Sequence, residues 1–97
     1  MNKLEEARIE INEADSMMAK IFEQRFMAVK KVLEYKKENG MAIFDPVREQ
    51  EVIARNTALV SEELQPYYKE YLQMLMDISK KYQKELFKLI FLILSQA

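Results

Sequence analysis

Residues 4–38 read LEEARIEINEADSMMAKIFEQRFMAVKKVLEYKKE. No glycine or proline interrupts them, and Asn39-Gly40 follows, a helix C-terminal signature. At about 1.5 Å per residue such a helix is roughly 50 Å long. A compact domain of this chain length has a radius of gyration of about 13 Å and a diameter of about 35 Å. The helix therefore overruns any domain the chain builds alone, and the economical solution is an intertwined homodimer. The expected fold is all-α, with one long and two shorter helices per chain in a homodimeric helical bundle.

The rest of the chain fits that plan as one domain over residues 1–97, with helix 1 at about 3–38. A short apolar connector, Met41-Ala42-Ile43-Phe44, leads to Asp45-Pro46, where Asp suits an N-cap and Pro the first helical position. Helix 2 is expected over about 46–60, its apolar face carried by Val47, Val52, Ile53, Leu59 and Val60. A break at residues 61–66 precedes helix 3, expected over about 66–95 with Leu72, Leu75, Met76, Leu86, Leu89 and Ile90 inward.

Composition narrows the chemistry. The 97 residues include one glycine, two prolines and 49% hydrophobic residues, a profile for helices with few turns. Fifteen basic against sixteen acidic residues give a net charge of −1, without the field that draws a protein to nucleic acid or an anionic membrane. With neither cysteine nor histidine, disulfides, thiol chemistry, zinc sites and histidine-based acid/base catalysis drop out. No metal or cofactor is expected. The charged start MNKLEEARIE is unlike a secretory signal, so a cytoplasmic location is expected. The apolar LFKLIFLILSQA, interrupted by Lys88, is far shorter than the roughly 20 residues a membrane span needs, so it reads as a packed helix end.

The candidate functional residues are polar side chains on apolar seams. Stepping through helix 1 by alternate fours and threes gives Leu4, Arg8, Ile11, Asp15, Met18, Phe22, Arg25, Val29, Val32 and Lys36, of which four are charged. An alternative stripe of Ala14, Met17, Ile21, Ala28 and Tyr35 leaves the charges flanking the core and snorkelling to water. Arg25 and Lys36, eleven residues apart, lie within about 20° around the helix and about 16 Å along it, close enough for two long side chains to clamp a small anion. Arg8 is about 25 Å from Arg25 and reaches such a pocket only from a partner subunit. On helix 3, Ser79 and Gln83 place donors in the apolar stripe; that they cap local backbone or face solvent is an equally open reading. Asp45 serves as an N-cap, and Arg48 and Glu49 read equally well as first-turn charges. Together these residues supply cations, one or two carboxylates and neutral donors without a nucleophile. That set suits a small dianion and a reaction driven by placement and charge stabilisation.

In order and spacing, Ala7-Arg8, Ile11, Asp15, Gln24-Arg25, Lys36, the run Asp45-Pro46-Val47-Arg48-Glu49, Ser79 and Gln83 resemble the all-helical AroQ class of chorismate mutase. The resemblance covers about residues 4–86. It implies an intertwined dimer in which Arg25 and the partner subunit's Arg8 hold the carboxylates of chorismate, assisted by Ser79 and Arg48. Lys36 and Gln83 would donate to the ether oxygen, and Glu49 with the Asp45 region would meet the ring hydroxyl. The implied activity is rearrangement of chorismate to prephenate in aromatic amino-acid biosynthesis, the shikimate pathway, without covalent or acid/base catalysis. Met17, Met18 and Phe22 depart from the leucine more usual there, and the apolar tail beyond Leu86 lies outside the motifs. Two other readings are an isochorismate pyruvate-lyase, which shares this fold, and a non-catalytic helical dimerisation module.

Overall fold

The computed structural model describes residues 1–96. Helix α1 spans Lys3–Glu38, α2 Pro46–Thr57 and α3 Gln65–Gln96, with a single 3-10 turn at Glu62–Leu64; no strand forms among the described residues. The α1 start is capped by the Asn2 side chain, which accepts from the Glu5 backbone N–H at 2.9 Å. Glu5 and Glu6 in its first turn and Lys36 and Lys37 in its last complement the helix dipole. At the other end Met41 N donates to Lys36 O at 2.8 Å and Gly40 N to Lys37 O at 3.4 Å, the paired bonds of a Schellman motif. Gly40 takes φ +64°, the left-handed conformation this ending requires and only glycine adopts freely.

Asp45 Oδ1 accepts from Arg48 N at 3.0 Å and Pro46 occupies the first position of α2. The helix stops at Thr57, short of the expected residue 60. Leu59 N and Val60 N turn back to Asn56 O and Thr57 O, so the chain tightens into three-residue steps. The Glu62–Leu64 turn then feeds α3 at Gln65, one residue ahead of the expected start. Pro66 is accommodated in the first turn, where backbone N–H groups lack helical partners anyway.

Helix α3 packs against both α1 and α2, and Leu33, Ile53, Leu72 and Met76 are buried between them. Phe26 joins α1 to α3, stacking on Phe22 at 4.4 Å and meeting Tyr82 edge-on at 5.2 Å. Several expected core residues fall elsewhere. Leu89 is exposed, about 100° around α3 from the line of Leu72, Met76, Ser79, Gln83, Leu86 and Ile90. Val47 faces away from the α2 core side, and Leu59 sits in the tight turn; both are exposed. On α1 neither stripe is buried as a whole: Ala14, Met17, Ile21, Ala28 and Tyr35 are exposed, and so are Leu4, Arg8, Ile11, Asp15, Met18, Phe22 and Val32, whereas Arg25, Val29 and Lys36 are half-buried. The most buried residue of α1 is Leu33, 2% exposed and on neither stripe.

The chain measures 60 × 29 × 15 Å with a radius of gyration of 17.5 Å, against about 13 Å for a compact chain of this length. The 36-residue α1 and the 32-residue α3 are each longer than a compact diameter, and the α1 residues from Lys3 to Gln24 are all exposed in the single chain, Leu4, Ile11, Met18 and Phe22 included. Among the described residues no helix is long and apolar enough to cross a membrane.

Candidate functional site

The C-terminal third of α1, the connector, the first turns of α2 and the middle of α3 surround one cavity of about 260 Å³. Apolar walls come from Val29, Val32, Val52 and Met76. Into it come Arg25 and Lys36 from α1, Asp45 ahead of α2, Arg48 and Glu49 from its first turns, and Ser79 and Gln83 from α3. Seven of the eight sequence candidates thus meet in one place. The eighth, Arg8, is exposed on the projecting part of α1, outside this cavity.

Arg25 is half-buried, and its Nη1 donates to Ser79 Oγ at 2.8 Å while Nη2 lies 3.9 Å from Met76 Sδ. Burial lowers its pKa from the ordinary value; Tyr71 opposes this and Arg48 adds to it. A guanidinium stays charged at any working pH. The cavity therefore holds a cation that has lost part of its hydration and has no carboxylate paired with it among the described residues. An anionic ligand restores that lost interaction.

The other groups stand around it with different degrees of freedom. Lys36 Nζ donates to Ile43 O at 2.8 Å, tying the connector to α1 and keeping two further hydrogens for other acceptors. Ser79 and Gln83 are 5% and 7% exposed, so the polar interruptions of the α3 stripe point inward. Gln83 Nε2 donates to Ser79 O at 3.3 Å, and its Oε1 is buried without a partner. The orphaned Oε1 is costly in an apolar wall, and the amide keeps its second Nε2 hydrogen as the donor it can offer a ligand. Arg48 is exposed at the mouth, 3.9 Å from Glu51, and Asp45 is occupied by its N-cap bond.

One ionic contact was not anticipated from the sequence. Lys80 Nζ lies 3.0 Å from Glu49 Oε2 and 3.5 Å from Asp77 Oδ1, above the Phe44 ring at 4.5 Å from its centre. The hydrogen bond to Glu49 is the largest of the influences that raise its pKa, ahead of the opposing effect of burial. Lys80 and Glu49 are thirty-one positions apart on different helices, so no local spacing links them. Altogether four cations face two carboxylates around the cavity, an excess suited to a doubly charged anion.

The family model described as chorismate mutase type II matches residues 7–84, most of the chain and every residue named above as lining the cavity. No curated protein matches the chain, and no solved structure does.

Proposed function

We propose, from the premise that the chain belongs to the chorismate mutase type II family, that this cavity rearranges chorismate to prephenate in aromatic amino-acid biosynthesis. The chain is an isomerase of the chorismate mutase class. The observation that carries the site assignment is the meeting of Arg25, Lys36, Arg48, Glu49, Ser79 and Gln83 in one cavity from three separate helices.

Chorismate is a small dianion with a ring hydroxyl and an ether oxygen, and each finds a counterpart. Arg25, positioned by Ser79, takes one carboxylate, and Arg48 at the mouth assists. Lys36 and Gln83 donate to the ether oxygen, where negative charge grows as the C–O bond breaks ahead of C–C bond formation. Donors held there in advance favour the transition state over the ground state, which is what raises the chemical rate. Glu49, with the Asp45 region, accepts from the ring hydroxyl. Confinement of the flexible substrate in its reactive shape contributes through orientation. No step needs a nucleophile or a proton carrier.

The second carboxylate is assigned to the partner subunit's Arg8 in an intertwined homodimer. Three features support this arrangement: the 60 Å protomer, the exposed apolar residues Leu4, Ile11, Met18 and Phe22 along α1, and the position of Arg8 among them. Covering those side chains with a second copy removes apolar surface from water at about 25 cal/mol per Å².

Product analysis with the purified chain tests the proposal. Chorismate should yield prephenate, with no pyruvate released from isochorismate. Pyruvate release would transfer the assignment to the lyase reading, and inertness toward both would leave the dimerisation module.

A further inference from the structure

We infer that Lys80 is a positioning residue of this site: it fixes the Glu49 carboxylate by one oxygen and neutralises it, so that the cavity accepts a dianion while Glu49 still presents its other oxygen to a hydroxyl. The inference deepens the mutase reading and rests on it.

The geometry sets the problem that Lys80 solves. The Glu49 side chain is 13% exposed and lines a cavity that otherwise attracts anions. An ionised carboxylate there repels a dianionic substrate unless a nearby cation cancels it. The charged groups lining the cavity are Arg25 and Lys36 from α1, Asp45 from the connector, Arg48 beside Glu49 on α2, and Lys80 from α3, with Asp77 one turn before it. Among the described residues Arg25 is engaged by Ser79, Lys36 by the Ile43 carbonyl, and Arg48 by the more distant Glu51. Lys80 is the cation in contact with Glu49, and its own side chain is 23% exposed. Its Nζ bonds Oε2 and leaves Oε1 free of that contact.

Lys80 also connects the pieces that must stay in register. Its ammonium bonds Glu49 of α2, rests over Phe44 of the connector and is steadied by Asp77 of α3. Lys36 holds the adjacent Ile43 from the α1 side. The connector is therefore gripped from both flanks of the cavity, and the first turns of α2 inherit that placement.

The test is steady-state kinetics with chorismate on the wild-type chain and on Lys80→Gln, Lys80→Arg, Glu49→Gln and the Lys80→Gln/Glu49→Gln double variant. Lys80→Gln leaves Glu49 unneutralised, so KM should rise on the order of tenfold with kcat within about threefold. Lys80→Arg should keep KM within about threefold of wild type. In the double variant the repelling charge is gone, so KM should fall back below that of Lys80→Gln, which a purely structural loss does not allow. An unchanged KM in Lys80→Gln, or an equal rise in the Glu49→Gln background, overturns the inference. If circular dichroism shows Lys80→Gln unfolded, Lys80→Arg decides alone, and a tenfold rise in KM for that folded variant overturns it. A wild-type chain that leaves chorismate unchanged overturns the mutase reading itself.

Discussion

Arg25 of α1 donates to the hydroxyl of Ser79 on α3 at 2.8 Å, across a sequence separation of fifty-four residues. This bond aims a half-buried cation into the cavity instead of letting it snorkel to solvent. Arginine presents a flat fork that lysine cannot reproduce. Arg25→Lys should therefore lower kcat/KM at least about a hundredfold with the thermal midpoint little changed. Ser79→Ala, which removes one bond to a charged group, should cost about tenfold. Kinetics paired with thermal melts checks both.

Lys80 gives the fold a pH signature. Its pKa in the folded chain is raised above the ordinary 10.5, principally by the hydrogen bond to Glu49. A raised pKa means that the stabilisation is fully present below the unfolded value and fades as pH rises through the folded value. The thermal midpoint of wild type should exceed that of Lys80→Met at pH 7 and pH 9, and the gap should close well above pH 10.5. A gap independent of pH in that range would show that the bridge does not contribute in this way.

Leu33, 2% exposed, anchors α1 to the core. Leu33→Ala should destabilise the chain by about 2–5 kcal/mol in denaturant titration, because the cavity it leaves collapses only in part. Tyr35→Ala, two residues on and exposed, should cost little.

The position of Leu33 also marks where sequence reading reached its limit. A strict four-three stepping averages 3.5 residues per turn and drifts about 20° per heptad from a straight helix. Counted from Leu4, the drift is about 80° by Val32, nearly one residue, so the stepping named Val32 where the core takes Leu33. Helix ends fared better when their chemistry is local: the Asn39-Gly40 ending and the Asp45-Pro46 start each rest on bonds between near neighbours. The end of α2 did not, because no glycine marks the tightening after Thr57. In the site, Arg25, Lys36, Ser79 and Gln83 stood out as polar residues on apolar seams. Lys80 resembled any surface lysine, since its role depends on Glu49 and Phe44 arriving from other elements.

A site shared between subunits predicts complementation. Arg8→Ala and Arg25→Ala should each be nearly inactive. Once mixed and allowed to exchange subunits, each hybrid dimer holds one intact and one doubly defective pocket, so activity should recover to at most about a quarter of wild type. Absence of recovery with exchange demonstrated by mass labelling would place both arginines in separate roles.

The central claim is that Lys36 and its neighbours form the pocket in which chorismate rearranges. The direct measurement is the ultraviolet loss of chorismate in the presence of the purified chain, recorded beside Lys36→Ala of equal helicity. Wild type should consume chorismate with one prephenate formed per molecule lost, and Lys36→Ala should be slower by about a hundredfold or more. A wild-type chain that leaves chorismate intact, or a Lys36→Ala chain that turns it over at the wild-type rate, would contradict the account.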